Sequence, residues 1–497
     1  MGLLGVVMVV LLASVAHGAR PQRANVLQKE SDPDECAPQQ VHIALTDDAS
    51  GMAVTWKTAG ANCPSEVSWW LVRAGDGSEA PAGTDLQTAV GFSFLLSERD
   101  MCDAPAAINA FAVYLHRTVM TGLSPGGRYR YRLAGAAGSW PFRAALASAP
   151  DEKFSFVAFG DLGDGGHAAA KSPGAALTLA AVQAREMPWL DLALHVGDIS
   201  YANGDPDVWD TFMESIEPLA ARVPYMVQVG NHEYGYDSGS ATDPSGAAPY
   251  QPGWGNFGAD SGGECGAMVA RRFAMPGRRG DNPPFWYGFD YGSVHFTAVS
   301  TEHDLAPGSP QHAWLEAELA SVDRCATPWL VLLLHRPAYV VYPHKSNREV
   351  GDHLRAFLEP LLRRHLVDAA ISGHVHSYYR SCPAHGGACV GGGGEGEGES
   401  GGANGGHGTV HIVVGSGGHV LSALEEGQEE WVAAVQRTWG YARFAVESPA
   451  RMRVQFVGSE GAEVLDAFDL DASPARLAGA CPAGGPAAAA AAAAPAS

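Results

Sequence analysis

An N-terminal β-sandwich followed by a layered α/β domain is the fold class that this sequence predicts, and three observations carry it. At 497 residues the chain is long for one domain, so two folded units plus termini is the natural expectation. Between about Val41 and Leu146, short alternating segments are broken by turns, the pattern of a sandwich. From Phe154 onward, short apolar runs alternate with helix-like stretches, as when helices cover buried strands.

The first unit, placed at residues 40–147, reads as strands at Val41–Leu45, Met52–Thr58, Glu66–Val72, Ala112–Thr121, Arg128–Leu133 and Trp140–Ala144. Leu123-Ser-Pro-Gly-Gly-Arg-Tyr129 resembles the Leu-x-Pro turn and following Tyr of fibronectin type III modules. No catalytic cluster falls here, so a structural or dimer-forming role is expected. Ala147–Asp151 reads as a linker. The second unit, placed at 152–470, has apolar runs at Phe154–Phe159, Leu192–Val196, Tyr225–Val229, Val294–Val299, Trp329–Leu334 and Val367–Ile371. Helix-like stretches include Ala175–Arg185, Gln311–Leu319 and Asp352–Leu366. Four later runs, Thr409–Val414, Tyr441–Val446, Met452–Val457 and Glu463–Leu470, read as further, antiparallel strands.

The termini and one insert read differently. Residues 1–19 hold an apolar run followed by small residues, too short to span a membrane, and predict a secretory signal peptide even though no Lys or Arg precedes the run. Gly391–Gly408 is Gly/Glu/Ser-rich and predicts a flexible insert, and 482–497 reads as a disordered Ala-rich tail. Eight cysteines suit an oxidising compartment; Cys382 and Cys389 are close enough to staple one loop. A net charge of −22 excludes a nucleic-acid backbone as partner, and no other apolar run is long enough for a membrane span. The same charge means that an anionic substrate would have to be drawn in by a local positive centre.

Five short polar blocks supply candidates for such a centre. Gly160-Asp-Leu-Gly163, Gly197-Asp-Ile-Ser-Tyr201, Gly230-Asn-His-Glu233, Leu334-His-Arg-Pro337 and Gly373-His-Val-His376 each end an apolar run. In layered α/β folds, functional groups gather beyond the carboxyl ends of strands. Asp161, Asp198, Tyr201, Asn231, His335, His374 and His376 together form a ligand list for two hard-to-borderline cations.

These blocks resemble the signature of the purple acid phosphatases, a branch of the binuclear metallophosphoesterases. The similarity reaches Gly197-Asp-Ile-Ser-Tyr-Ala-Asn-Gly204, Asp260-Ser-Gly-Gly-Glu-Cys-Gly266, Phe285-Trp-Tyr-Gly-Phe-Asp-Tyr-Gly292 and Ser300-Thr-Glu-His303, and covers roughly residues 40–470. It implies a fibronectin III-like sandwich followed by a four-layer α/β/β/α catalytic domain. It implies that Asp161, Tyr201 and His376 hold Fe(III), that Asn231, His335 and His374 hold one divalent ion (Zn, Mn or Fe), and that Asp198 bridges them. The implied activity is that of a secreted acid phosphatase, hydrolysing small phosphate monoesters by attack of a metal-bound hydroxide. His232 would contact the phosphoryl group or hold a proton. His344 falls where the plant enzymes have a substrate-facing His pair, but here the second position is Lys345, so the match is partial. A homodimer fits the resemblance. Phytase, nucleotidase or phosphodiesterase activity at the same site, and a non-catalytic secreted binding protein, are the competing readings.

Overall fold

The computed structural model describes residues 35–72, 86–164, 171–235, 239–278, 280–341, 345–390, 407–424, 429–461 and 463–472. The expected signal peptide, the Ala-rich tail, His344 and nearly all of the Gly-rich insert lie outside the described residues.

The N-terminal unit is a sandwich of two four-stranded antiparallel sheets. Its strands are β1 (Gln39–Leu45), β2 (Met52–Thr58), β3 (Glu66–Leu71), β4 (Gln87–Val90), β5 (Phe92–Ser97), β6 (Ala112–Met120), β7 (Arg128–Leu133) and β8 (Trp140–Arg143). One sheet runs β1-β2-β6-β5 and the other β4-β3-β7-β8. Alternation decides the facing: in β7 the residues Tyr129, Tyr131 and Leu133 are buried and the arginines between them point outward. The Tyr129 hydroxyl accepts the N–H of Ser124 at 2.9 Å, tying the strand back onto the turn before it. The sequence reading did not include β4 and β5. Both are largely exposed edge strands: β4 carries no apolar alternation, and β5, apolar at Phe92, Phe94, Leu95 and Leu96, leaves Phe92 and Leu95 exposed.

The second unit holds β9 (Phe154–Phe159), α1 (Ala175–Arg185), β10 (Leu192–Val196), α2 (Pro206–Ala220), β11 (Tyr225–Gln228), α3 (Ala267–Arg272), β12 (Tyr287–Tyr291), β13 (Val294–Ala298), α4 (Pro310–Ser321), β14 (Trp329–Leu333), α5 (Lys345–Arg364) and β15 (Ala369–Ser372). It continues with β16 (Tyr378–His385), β17 (Ala388–Cys389), β18 (Thr409–Val414), β19 (Val432–Gln436), β20 (Gly440–Ser448), β21 (Arg451–Gly458) and β22 (Val464–Asp471). One sheet is ordered β11-β10-β9-β20-β21-β22; the other runs β12-β13-β14-β15-β18-β16-β17, with β19 on β16. Strands β9, β10 and β11 are mutually parallel, as are β13, β14, β15 and β18, and the later additions are antiparallel.

The two sheets pack face to face. Phe156 of β9 meets Phe296 of β13 edge-on at 5.3 Å, and Tyr378 of β16 stacks on Phe456 of β21 at 4.1 Å. Outside the first sheet, Phe212 of α2 lies 6.0 Å from the His195 ring of β10, and Tyr441 of β20 donates to Glu186 at the end of α1 (2.8 Å). Outside the second, Leu315 and Leu319 of α4 and Leu354, Leu358 and Leu361 of α5 share one core with Leu330 and Leu332 of β14. The result is the four-layer α/β/β/α architecture. Helix α5 starts seven residues before the expected Asp352, because its first turns are polar and hold Gly351, so no apolar period marks them. Among the described residues no helix is long and apolar enough to cross a membrane.

The sandwich is fastened to α2 and α3. A Cys102–Cys265 disulfide joins the units, Lys57 and Arg272 both bind Asp210 (2.6 and 3.0 Å), and Glu217 accepts the N–H of Gln40 (2.8 Å). Cys382 and Cys389 form the expected loop staple, and Cys36 pairs with Cys63.

One core residue makes stability sensitive to acid. His303 is boxed by Tyr234, Phe285 and Trp286 (ring centroids 4.0, 5.2 and 5.4 Å), its Nδ1 meets the Ser300 hydroxyl at 2.8 Å, and its Nε2 has no hydrogen-bond partner among the described residues. Burial holds its pKa down to about 3. The folded imidazole therefore stays neutral while the unfolded chain takes up a proton below the ordinary value of ~6.5. Its contribution to stability is full above that value and is lost as pH falls toward the folded one. His303→Phe keeps the volume and removes the titration. Urea unfolding should show the wild type losing about 2 kcal/mol relative to this variant between about pH 7.5 and about pH 5. An unchanged difference would mean that His303 is charged in the fold.

Candidate metal centre

Each polar block stands where a buried strand ends: Asp161 after β9, Asp198 and Tyr201 after β10, Asn231 after β11, His335 after β14, His374 and His376 after β15. The strands come from both sheets, so their carboxyl ends aim the blocks at one point. Close approach demands glycine. A Cβ on Gly197, where φ is +84°, would collide with the His335 ring, and one on Gly230 would collide with the Asp198 carboxylate. The chain also accepts left-handed backbone at Asp161, Asp198, Tyr201 and His374, whose φ values lie between 50° and 66°. Such residues cost of order 1–3 kcal/mol each, and they gather at functional sites.

The seven side chains form two groups that share one carboxylate. In the first, the Tyr201 hydroxyl lies 3.1 Å from Asp161 Oδ1, 3.2 Å from Asp198 Oδ2 and 3.0 Å from His376 Nε2. In the second, Asn231 Oδ1 lies 3.2 Å from His335 Nε2 and 3.0 Å from His374 Nδ1, while His335 Nε2 is 3.2 Å from Asp198 Oδ1. Donor atoms of Asp161, Asp198 and His376, and of Asp198, His335 and His374, lie within 4.8 Å of one another.

The outer partners fit a metal site. His335 donates Nδ1–H to the Val196 carbonyl (2.9 Å), and His376 donates Nδ1–H to that of Val420 (2.7 Å). His374 points its Nε2 at Asn347 Oδ1 (3.4 Å). Each imidazole thus spends one nitrogen outward and turns the other to the centre, which fixes its tautomer as a metal ligand. Asn231 donates its amide N–H to Asp260 (3.1 Å), so its oxygen must face the two histidines. The buried Glu233 accepts the N–H groups of Ile199 (2.6 Å) and Gly230 (2.9 Å) and locks the second block to the third.

Electrostatics point the same way. Burial and the charges of Asp161 and Asp198 push the Tyr201 phenol well above its ordinary value, so ionising it requires a compensating cation. Burial alone would raise Asp198 and lower His335, yet each charge overrides it in the other: Asp198 lies well below the usual carboxylate range and His335 rises to about 10.

Beside the ligands opens a cavity of about 450 Å³ whose lining includes Asp198, Asn231, His232, Asn256, Asn347 and His374. The His232 ring packs tilted against that of Tyr201 (centroids 4.4 Å apart) and places Nδ1 2.8 Å from Asn203 Oδ1. Donation from Nδ1 leaves Nε2 free, 4.0 Å from Asp198. His344 lies outside the described residues, but Ser346 and Asn347, just after it, line the cavity.

Sequence reasoning missed Asn203, Asp260, Asn347 and His419 as site residues. The His419 ring packs 4.0 Å from that of Tyr201 and 4.9 Å from that of His376, and the backbone N–H of His419 donates to the Asp161 carbonyl (2.9 Å). A signal was present: Gly415-Ser-Gly-Gly-His419 follows β18 by the same strand-then-glycine formula as the five blocks. Because Asp260 only orients Asn231, Asp260→Ala should weaken the ion held on the Asn231 side by about 10–100-fold and spare the other. Metal analysis after graded chelation will read this; equal loss of both ions would argue against it.

Comparison with known proteins agrees with the geometry. Three family models match: "Purple acid Phosphatase, N-terminal domain" over residues 38–148, "Calcineurin-like phosphoesterase" over 154–378, and "Iron/zinc purple acid phosphatase-like protein C" over 408–467. The chain is 30% identical over 468 residues to "Probable inactive purple acid phosphatase 1" of Arabidopsis thaliana, covering 90% of this chain and 72% of that protein. It is 30% identical over 343 residues to a "Nucleotide pyrophosphatase/phosphodiesterase" of Hordeum vulgare, covering 67% of this chain and 86% of that one. The solved structure of purple acid phosphatase PPD1 from yellow lupin seeds superposes with a TM-score of 0.73 at 27% identity, covering 89% of this chain and 76% of the lupin one.

Proposed function

The chain belongs to the purple acid phosphatase family, and from that premise we propose that it is a working acid phosphatase of the secretory pathway that hydrolyses small phosphate monoesters. One observation carries the reading: two complete donor groups meet on Asp198, and one of them contains Tyr201. The relative from Arabidopsis is named inactive, but a decayed site should have lost donors, and here five His and Asp ligands converge with Tyr201 and Asn231 beside them.

In this reading Asp161, Tyr201 and His376 hold Fe(III), Asn231, His335 and His374 hold Zn, Mn or Fe(II), and Asp198 belongs to both. A phenol among two buried carboxylates suits the most Lewis-acidic of these ions. When bound, the pair supplies charge neutralisation and a nucleophile for phosphoryl transfer at acidic pH. The chain's own residues do the rest. Asn203 orients His232, whose Nε2 faces the cavity and, in the imidazolium form, donates to a phosphoryl oxygen there. His344 is proposed as the donor of a proton to the leaving alkoxide, since an imidazolium gives up a proton more readily than Lys345 would. Disulfides at Cys36–Cys63, Cys102–Cys265 and Cys382–Cys389 support an oxidising compartment.

A second reading, hydrolysis of phosphodiesters or phosphoanhydrides at the same site, is favoured by the likeness to the barley protein. Purified protein should be coloured, contain iron and hydrolyse p-nitrophenyl phosphate at about pH 5, with Tyr201→Phe bleaching the visible band. Colourless, iron-free and inactive protein would sink the proposal. Faster turnover of bis-p-nitrophenyl phosphate or ATP than of the monoester would select the second reading.

A further inference from the structure

A larger cavity, of about 1220 Å³, lies at the other end of the first sheet from the metal centre. The start of β9 and the turns entering β10 and β11 form one side, and β7 and β8 of the sandwich form the other. It therefore sits where two domains meet, a recurrent place for ligand pockets.

Its charge is opposite to that of the chain. Arg128, Arg130, Arg143, Lys153 and Arg222 line it against only Asp191 and Glu447, whereas the whole chain has 32 basic and 54 acidic residues. Arg143 is committed to Asp191 (2.6 Å), and Arg130 to Ser139 (2.9 Å to the hydroxyl, 2.7 Å to the carbonyl). Arg128, Lys153 and Arg222 are exposed and make no side-chain ion pair among the described residues. Cations held in one cleft repel each other until an anion sits among them, and a cleft of one sign concentrates that anion. The wall is apolar: Trp189 stands 73% exposed, near Phe142 and Phe154. Guanidinium forks take sulfonate, carboxylate or phosphate oxygens, and an indole face takes a flat apolar body.

We infer that this interdomain cleft binds a small organic anion with a flat apolar body, at a site separate from the metal centre. The inference does not depend on the chain being catalytically active.

The probe is 8-anilinonaphthalene-1-sulfonate, an aromatic sulfonate with no phosphoester bond, titrated by fluorescence against the metal-loaded full chain. Its binding should saturate at one site per chain. The triple variant Arg128→Glu/Lys153→Glu/Arg222→Glu should weaken it by at least about tenfold, because three attractive charges become repulsive. Trp189→Ala should weaken it as well. Molybdate at about one equivalent per chain, just enough to fill the metal centre, should leave it in place. Near-ultraviolet circular dichroism checks that the variants fold; all four positions are exposed. Three results would each overturn the inference: no binding, binding within about twofold of wild type in the triple variant, or displacement by molybdate. Equal binding of the uncharged N-phenyl-1-naphthylamine would do so too, since it would show simple apolar adsorption.

Discussion

Asp198→Asn is expected to abolish retention of both ions and to lower phosphatase activity by at least ~10³-fold. Asp198 is the one residue common to the two donor groups, so its carboxylate carries charge that no other side chain can replace. It is also tied in place: Oδ1 accepts the N–H of His232 (2.9 Å) and faces His335, while Oδ2 accepts from Tyr201 (3.2 Å). An amide keeps the shape but removes the negative charge. It also offers N–H groups where a cation must sit, and it leaves the buried His335 without the carboxylate that holds its pKa up. Metal analysis and activity should therefore fall together. An Asp198→Asn protein that kept both ions would place the shared ligand elsewhere, and one that kept a single ion would show that the groups fill independently.

The ligands were legible in the sequence because each obeys a local rule. A buried strand gives a continuous apolar run, and the polar residue after it lands at the strand's carboxyl end. Asp161, Asp198, Asn231 and His335 all follow that rule, with glycine beside the first three where the blocks crowd together. The residues that orient them were not legible. Asp260 reaches Asn231 across 29 positions, Asn203 reaches His232 across 29, and Asn347 reaches His374 across 27. No periodicity or motif encodes contacts of that kind; only the packed fold brings them together. The same reasoning covers the elements that were missed or begun late. Strand β4 is an exposed edge with no apolar side to give it a period of two, and the first turns of α5 are polar. The cationic cleft was hidden for a further reason: its basic residues come from β7, β8 and the approaches to two distant strands, β9 and β11, inside a chain whose summed charge is acidic.

The largest stability effect outside the metal centre is expected from Arg336→Met. Arg336 follows a proposed ligand in the chain, yet its side chain turns away from the centre and is 1% exposed. Its Nε and Nη2 grip Glu302 at 2.8 and 3.0 Å, its Nη1 donates to Asn256 Oδ1 at 2.8 Å, and the guanidinium lies 4.6 Å over the Phe257 ring. Methionine fills most of the volume but leaves the Glu302 carboxylate buried at 3% exposure, with the Thr301 hydroxyl (3.0 Å) as its remaining side-chain donor. Removing one partner of a buried pair costs about 3–5 kcal/mol, because the surviving charge is uncompensated. Removing both is far milder, so Arg336→Met/Glu302→Leu should recover most of that loss in urea unfolding. The two variants should nevertheless share one defect. Asn256 donates to Asn347 Oδ1 (2.9 Å), and Asn347 in turn fixes His374, so losing the guanidinium loosens the ligand in both proteins. Stability restored in the double variant, with ion affinity on the His374 side still reduced about 10–100-fold, would separate the two roles of Arg336. Full recovery of both would confine the arginine to the fold.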